Sequence, residues 1–161
     1  MTINATTLQT PIGELALLAR DGTLVAAGFA DVHTMHVRIG DEPLRVHGDL
    51  GELSRAVSAY FEGDLTALDE LPVVQQGGAF RQAAWTAMRR VPAGETISYT
   101  KLAAEAGNPK AVRAAASACA QNLIAPIVPC HRVLRSDGSL GGYYYGLPVK
   151  EWLIAHELRH R

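Results

Sequence analysis

Cys130 lies in a short segment where a thiol, an imidazole and a guanidinium follow one another. The run Ile127–Leu134 reads IVPCHRVL, an apolar stretch that stops at Pro129 and continues with Cys130, His131 and Arg132. Only the thiolate of a cysteine is a nucleophile, and neighbouring basic groups lower the pKa of a thiol. Proline should break the chain here and present the thiol at the end of a buried element. The segment predicts a reactive cysteine, and the alternative is a buried structural Cys-His pair.

The composition is that of an ordinary globular protein. With 161 residues, 48% of them hydrophobic, the chain can fill one good core or two small lobes. We expect a cytoplasmic protein, because the start shows no secretory pattern and no apolar stretch is long enough to cross a bilayer. Cys119 and Cys130 form no metal-ligand pattern, so we expect neither metal nor cofactor. Cys119 lies among alanines and is predicted to be buried in a helix.

The two halves of the chain carry opposite charge. The formal net charge is -1, but residues 1–76 carry -7 and residues 77–161 carry +6. A polyanion would therefore be attracted to the second half, unless the clustering is an accident of solvated surface charges. We place the boundary near Gly77-Gly78, which predicts an N-terminal α/β lobe over 1–76 and a C-terminal lobe over 77–161.

The first lobe is predicted to be a small antiparallel sheet followed by a helix. Strands are predicted at Thr6–Thr10, Glu14–Ala19 and Thr23–Phe29, with Asp21-Gly22 as the tight reversal before the third. Apolar residues then recur at helical spacing over 50–61, and the glycine at 63 is placed to end that helix.

Two stretches of the first lobe are assigned no helix or strand. The segment Asp31–Asp49 contains His33, His36 and His47, which we interpret as solvated surface histidines rather than a metal site. The segment Asp64–Gly78 is predicted to be a linker that crosses to the second lobe.

The second lobe is predicted to be mostly helical, so the fold class is α+β. A first helix runs from Phe80 to Val91, where Pro92-Ala93-Gly94 breaks it. Ser98 can cap a helix that Gly107 ends, and Asn108 can cap the next helix with a proline at its first position. Two short helices joined by a tight turn predict a helix-turn-helix.

The second helix of this motif, predicted over Pro109–Ala120, is made mostly of small residues. It carries Lys110 and Arg113 but otherwise mainly alanine. A helix that reads the major groove projects long polar side chains, so this one is better suited to the narrow minor groove. The alternative is a helix buried in the core.

Four segments of the second lobe together resemble the alkylguanine-DNA alkyltransferases. They are Ile97-Ser98-Tyr99, Ala106–Arg113, Pro129–Arg132 and Val149–Glu157, and the resemblance covers about Phe80 to Glu157. Members of that family repair DNA by moving an alkyl group from the 6-oxygen of guanine onto their own cysteine.

The resemblance implies a role for each group of the reaction. Cys130 is the acceptor, His131 takes the thiol proton through a water, and Glu157 orients the imidazole. Tyr99 is the proton donor to the leaving guanine, assisted by Lys150, and Asn122 braces the turn that carries the cysteine.

The resemblance also implies a DNA-binding surface and a base pocket, because the damaged nucleotide must leave the stack before a thiol can reach it. Arg113 fills the vacated stack, Tyr99 rotates the phosphate and Lys110 contacts the backbone. The implied DNA-binding residues are Ser98, Tyr99, Lys110, Ala111, Arg113, Ala114 and Arg132. The implied pocket residues are Pro129, Val133, Gly138, Ser139, Gly141, Gly142, Tyr143, Tyr144 and Tyr145.

The sequence therefore predicts a protein that transfers an alkyl group, chiefly methyl, once per molecule. The expected substrate is O6-alkylguanine, with O4-alkylthymine as a second substrate, in double-stranded DNA bound through the minor groove. We expect a nucleoid-associated monomer. In the family that the chain resembles, the residues at the positions of Tyr144 and Tyr145 are ordinarily small. The two tyrosines predict a narrower pocket that transfers methyl groups better than benzyl groups. The alternatives are a damage-binding protein without transfer activity and a cysteine hydrolase.

Overall fold

The structure, a computed structural model, describes residues 1–161 and divides into two compact units. The first unit comprises Met1–Gln75 and Leu123–Ile127, and the second comprises Gln76–Asn122 and Val128–Arg161. The predicted α+β class is confirmed. No helix combines the length and the apolar composition that crossing a membrane requires.

The first unit is a four-stranded sheet with two helices. Its elements are β1 (Ile3–Thr10), β2 (Gly13–Arg20), β3 (Thr23–Gly28), α1 (Val32–Ile39), β4 (Leu44–Val46) and α2 (Glu52–Phe61). The three predicted strands and the helix over 50–61 are present, and Asp21 and Gly22 form the reversal with positive φ values of 51° and 79°.

Two features of the first unit differ from the prediction. The sheet is mixed rather than antiparallel, because β4 pairs parallel with β1 in the order β3-β2-β1-β4. The polar segment Asp31–Asp49 contains α1 and β4: Asp31 caps α1 by accepting from Thr34 N at 2.7 Å, and Met35 of α1 is fully buried. Two buried residues, Val32 and Met35, and one N-cap were too little periodic signal to reveal this helix in the sequence.

The second unit is mostly helical, as predicted. Its elements are α3 (Ala79–Arg90), β5 (Ile97–Ser98), α4 (Tyr99–Glu105), α5 (Val112–Ala120), a 3₁₀ helix (Cys130–Arg132), β6 (Val133–Leu134) and α6 (Leu147–His160). The short strands β5 and β6 pair parallel through Ile97 and Val133. This pairing fixes the start of α4, where Tyr99 lies, beside the segment that carries Cys130.

The helix-turn-helix is formed by α4 and α5. Ser98 caps α4 by accepting from Lys101 N at 3.0 Å, as predicted. The second helix begins at Val112, so its predicted start at Pro109 is wrong. Asn108 does not cap that helix, because its side chain accepts from Lys110 N at 3.1 Å and its carbonyl accepts from Ala111 N at 3.0 Å, which closes a turn before α5 begins.

Candidate active site

Cys130 is the first residue of the 3₁₀ helix, and its side chain is almost buried. The residue is 7% exposed and directly follows Pro129, where the regular backbone is broken as expected. Asn122, at the end of α5, donates from Nδ2 to the carbonyl of Val128 at 2.8 Å and to Cys130 Sγ at 3.4 Å. The predicted bracing contact of Asn122 is therefore present in the structure, and this side chain also acts on the sulfur itself.

The buried thiol is protonated at rest. Burial raises the pKa of Cys130, and the hydrogen bond from Asn122 and the charge of Lys150 only partly oppose this effect. A nucleophilic thiolate therefore needs a base that takes the proton when the substrate arrives.

The two residues that follow the thiol in sequence form a buried network with Glu157 of α6. His131 Nε2 is 2.7 Å from Glu157 Oε2, while Arg132 donates from Nε to Glu157 Oε1 at 2.8 Å and from Nη2 to Oε2 at 3.0 Å. The third arginine donor, Nη1, reaches the carbonyl of Val91 at 2.7 Å. We call His131, Arg132 and Glu157 the acceptor network.

The charges of the acceptor network follow from this geometry. Burial lowers the pKa of His131, against the opposing effect of Glu157, so the imidazole is neutral near pH 7. Burial alone would raise the pKa of Glu157, but its contacts with His131 and Arg132 hold it well below the usual range. An anionic carboxylate accepts from His131 Nε2, which leaves Nδ1 as the unprotonated ring nitrogen.

Arg132 does not lie on the DNA-binding surface, so that prediction is wrong. The residue is 5% exposed, and the bonds to Glu157 and Val91 occupy its guanidinium. The position beside a reactive cysteine suggested a phosphate contact, but a 3₁₀ helix turns by about 120° per residue and directs successive side chains to different sides.

Lys150 is fully buried and holds the loop after β6. Its ammonium donates to the carbonyl of Val133 at 2.8 Å, to that of Gly142 at 3.1 Å and to that of Leu140. An ammonium has three hydrogens, so these carbonyls use all of its donors. The structure does not bring Lys150 into a hydrogen bond with the Tyr99 hydroxyl; the ammonium lies 6.0 Å from the centroid of that ring.

An open cavity of about 350 Å³ lies over Cys130. It is lined by Tyr99, Ala116, Cys119, Ala120, Cys130, Gly142, Tyr143 and Tyr144. Burial, together with the two nearby thiols, raises the pKa of Tyr99 to about 12, so the phenol keeps its proton and can donate it. The cavity therefore combines a nucleophile and a proton donor with room for a flat ligand.

The sequence prediction missed three of the lining residues. Ala116, Cys119 and Ala120 lie on one face of α5 at spacings of three and four residues, and their small size leaves the space of the cavity. Cys119 had been expected to be buried, but it is only partly so. The helical spacing was readable in the sequence; which face of α5 would meet the cavity was not.

Only part of the predicted pocket lines the cavity. Gly142, Tyr143 and Tyr144 do, whereas Pro129, Val133, Gly138, Ser139, Gly141 and Tyr145 are not among its lining residues. Val133 is fully buried, and Gly138 and Ser139 lie in an exposed turn where Asp137 accepts from Ser139.

Gly141 and Tyr145 support the lining rather than belonging to it. Gly141 has a φ of +71°, and a Cβ there would lie 2.9 Å from the Tyr99 hydroxyl, so this backbone packs against the proton donor. Tyr145 makes edge contacts with the rings of Tyr143 and Tyr144, at centroid distances of 5.9 and 4.9 Å.

Of the predicted DNA-binding residues outside the acceptor network, Ser98 and Tyr99 lie at the start of α4, and the others lie at the start of α5 and in the turn before it. Lys110, Arg113 and Ala114 are exposed, while Ser98 and Ala111 are half-buried. We call Lys110, Arg113 and Ala114 the recognition surface. No group of three or more His, Cys, Asp or Glu side chains is arranged to hold a metal ion.

Comparison with known proteins relates this geometry to one family. The model of the 6-O-methylguanine DNA methyltransferase DNA-binding domain matches residues 79–159. The methylated-DNA–protein-cysteine methyltransferase of Methanosarcina acetivorans is 36% identical over 149 residues, which are 92% of this chain and 94% of that protein. The bifunctional transcriptional activator/DNA repair enzyme Ada of Escherichia coli K12 is 54% identical over 87 residues, or 54% of this chain and 25% of Ada.

This chain therefore matches only a quarter of the length of Ada, but nearly all of the archaeal protein. The crystal structure of Mycobacterium tuberculosis OGT in complex with DNA has a TM-score of 0.86 and 31% identity, and covers 98% of this chain and 94% of that one. The family match over half of the chain and the full-length relative lead to the same conclusion: the chain belongs to the 6-O-methylguanine DNA methyltransferase family.

Proposed function

We propose that this chain repairs DNA by moving an alkyl group, chiefly methyl, from the 6-oxygen of guanine in double-stranded DNA to Cys130 Sγ. The observation that carries the proposal is the position of the thiol: it lies at an open cavity with Tyr99, and His131 of the acceptor network follows it directly in sequence. The family membership supports the same reaction, and O4-alkylthymine is a second substrate of the same chemistry.

His131 acts as the base and Tyr99 as the acid of this displacement. Nδ1 of His131 is buried without a hydrogen bond to the protein, so it is the ring nitrogen left to receive the thiol proton through a water. The S–C bond forms on the alkyl carbon while the bond from that carbon to the guanine oxygen breaks. Tyr99 gives its proton to the leaving guanine and is then reprotonated from solvent, while the imidazolium of His131 releases the thiol proton to solvent. Overall, one proton therefore passes from the thiol to guanine.

The product is a thioether, and no step returns it to a thiol. A second turnover would need a group that attacks the alkyl carbon again with Cys130 as leaving group, and a thiolate in this buried site is a poor leaving group because burial raises its pKa. We therefore expect one transfer per molecule.

The damaged nucleotide reaches the cavity by rotating out of a duplex held at the recognition surface. Exposed Lys110 contributes sequence-independent attraction to the backbone, and Arg113 occupies the space left in the stack. Small side chains at the start of α5 suit close approach in the minor groove. We propose that the protein acts in this way as a monomer on cytoplasmic, nucleoid-associated DNA.

The test is to incubate the protein with a duplex that carries one O6-methylguanine and to measure the mass of the protein. We expect one added methyl group, located on Cys130 by peptide mapping, and no further turnover with excess DNA. Cys130→Ser should abolish the transfer.

Cys119→Ser is the matched control, because it removes the other thiol of the same cavity and should still accept one methyl group. Binding without a change of mass would indicate a damage-binding protein instead, and lasting multiple turnover would indicate a hydrolase.

A further inference from the structure

We propose that Arg132 is a positioning residue of the transfer step: it holds the Glu157 carboxylate fixed and ionised, so that His131 remains free to take the single proton of Cys130. The inference rests on the proposed function and assigns a role within that same site. It replaces the DNA contact expected for this residue with a role inside the protein.

Arg132 fixes the Glu157 carboxylate through its hydrogen bonds. Arg132 donates hydrogen bonds to both carboxylate oxygens of Glu157, at 2.8 and 3.0 Å. Its third nitrogen, Nη1, donates to the carbonyl of Val91 at the end of α3. Such a bidentate contact fixes the plane of a carboxylate as well as its position. The same Oε2 that receives Arg132 Nη2 lies 2.7 Å from His131 Nε2, so the orientation of the imidazole depends on the arginine through the carboxylate.

Arg132 also supplies the positive charge that balances the Glu157 carboxylate. A neutral imidazole contributes no charge that would keep Glu157 ionised, whereas a guanidinium is cationic at every pH of interest. With Arg132 present, the resting network holds one positive and one negative charge. Without it, a buried carboxylate beside a neutral histidine would carry an uncompensated charge, and the pair would take up a proton from solvent instead.

That extra proton would compete with the reaction. A histidine-carboxylate pair that already shares a proton has no place for the proton of the thiol, so the transfer would proceed only at a pH high enough to remove it. The arginine therefore sets the pH range in which His131 can act as a base, without touching the DNA or the reacting atoms.

Lys150, the other cation that acts on His131, is not placed to substitute for Arg132. Glu157 faces His131 and Arg132; His131 faces Glu157, Arg132 and, at longer range, Lys150; Cys130 faces Asn122 and Lys150. Lys150 is held by three carbonyls, and it forms no hydrogen bond with Glu157 among the contacts of its ammonium. Two further titratable groups that act on Cys130 or Lys150, Tyr99 and Cys119, are neutral near pH 7 because burial raises the pKa of each.

The test is the rate constant of single-turnover methyl transfer at saturating duplex, measured from pH 6 to pH 10 for the wild-type protein and for Arg132→Gln. We expect Arg132→Gln to be slower at pH 7 by about 100-fold, the lower end of what general base catalysis contributes. We expect most of the rate to return as the pH rises, while the Kd for duplex DNA stays within about twofold. Arg159→Gln, an exposed arginine on the same helix as Glu157, removes the same formal charge and should match the wild-type profile.

Two further variants keep the test decisive if Arg132→Gln folds poorly. Arg132→Lys retains the charge but not the bidentate contact. The pH midpoint of its transfer rate should therefore match that of the wild type, and its maximal rate should be lower. The double variant Arg132→Gln, Glu157→Gln has no uncompensated charge and should melt at a higher temperature than Arg132→Gln alone.

Three outcomes would overturn the role of Arg132. These are an equal loss of rate at every pH, a displaced midpoint in Arg132→Lys, and a weakened Kd with an unchanged saturated rate. If the wild-type protein itself transfers no methyl group, the proposed function fails, and that result is distinct from all three.

Discussion

The recognition surface and the acceptor network belong to the same compact unit but are built on opposite principles. Lys110, Arg113 and Ala114 are exposed at the start of α5 and in the turn before it. His131, Arg132 and Glu157 are buried, and their hydrogen bonds fix one another. Binding a duplex of any sequence needs only charge and small side chains, whereas moving one proton at one sulfur needs groups whose positions and charges are set in advance. Substitutions should therefore affect stability in one region and DNA handling in the other.

The largest effect on stability should come from Glu157→Gln. The substitution leaves Arg132 as a buried cation without its carboxylate, and breaking a buried ion pair in this way costs about 3–5 kcal/mol. We expect the free energy of unfolding, measured by urea denaturation, to fall by about that amount and methyl transfer to be lost.

Glu151→Gln is the matched control for this substitution, because Glu151 is an exposed carboxylate on the same helix. It should change the unfolding free energy by less than about 0.5 kcal/mol. Equal effects of the two variants would contradict the view that the buried network stabilises this unit.

The next largest effect should be on the transfer rate with duplex DNA, with no change in the stability of the protein. Arg113 is exposed, so Arg113→Ala should leave the unfolding free energy within about 0.5 kcal/mol of wild type. If the side chain occupies the space left by the rotated nucleotide, its loss should cost about 2 kcal/mol of the flipping step, or about 30-fold in rate on duplex DNA. Transfer from the free base O6-methylguanine requires no rotation and should proceed at the wild-type rate.

Arg159→Ala, which removes an exposed arginine from α6, should leave both of these rates unchanged. If Arg113→Ala slowed the duplex and the free base equally, Arg113 would act on the chemistry rather than on the DNA.

The recognition surface was easier to predict from the sequence than the acceptor network. Capping by Ser98 and the exposure of Lys110 and Arg113 follow from local patterns, since a hydroxyl before a helix and a charge among alanines have few alternatives. The bonds of Arg132 join the 3₁₀ helix to α6 across 25 residues of sequence, and no local pattern distinguishes a buried arginine from one that contacts phosphate. The family resemblance identified the roles of His131 and Glu157, but it assigned Arg132 to the DNA and gave no sign that Arg132 binds Glu157.

The same limit applies to the cavity. The glycine and tyrosines over 142–144 were predicted from the family resemblance, whereas Ala116 and Ala120 resemble every other alanine of α5. These alanines contribute to the cavity because their side chains are small, and the sequence does not show which face of α5 lines a cavity.

The smallest effect we predict concerns the size of the alkyl group and involves the side of the cavity opposite α5. Tyr144 is 60% exposed and lines the cavity, and its ring packs edge-on against Tyr145 at 4.9 Å. The rings of Tyr143 and Tyr145 are also in contact, so Tyr144 is held by an aromatic cluster and has limited freedom to move aside for a large adduct.

We therefore expect the wild-type protein to transfer methyl at least about tenfold faster than benzyl from matched duplexes, since steric overlap of an added ring costs about 1–3 kcal/mol in a packed site. Tyr144→Gly should raise the benzyl rate several-fold more than the methyl rate, because it removes bulk without touching Cys130, His131 or Glu157. Leu158→Ala, which removes an exposed apolar side chain outside the cavity, should leave the ratio of the two rates unchanged. Comparable methyl and benzyl rates in the wild-type protein would show that the aromatic cluster yields to the adduct, and selectivity would then have to arise in the flipping step, where the recognition surface acts.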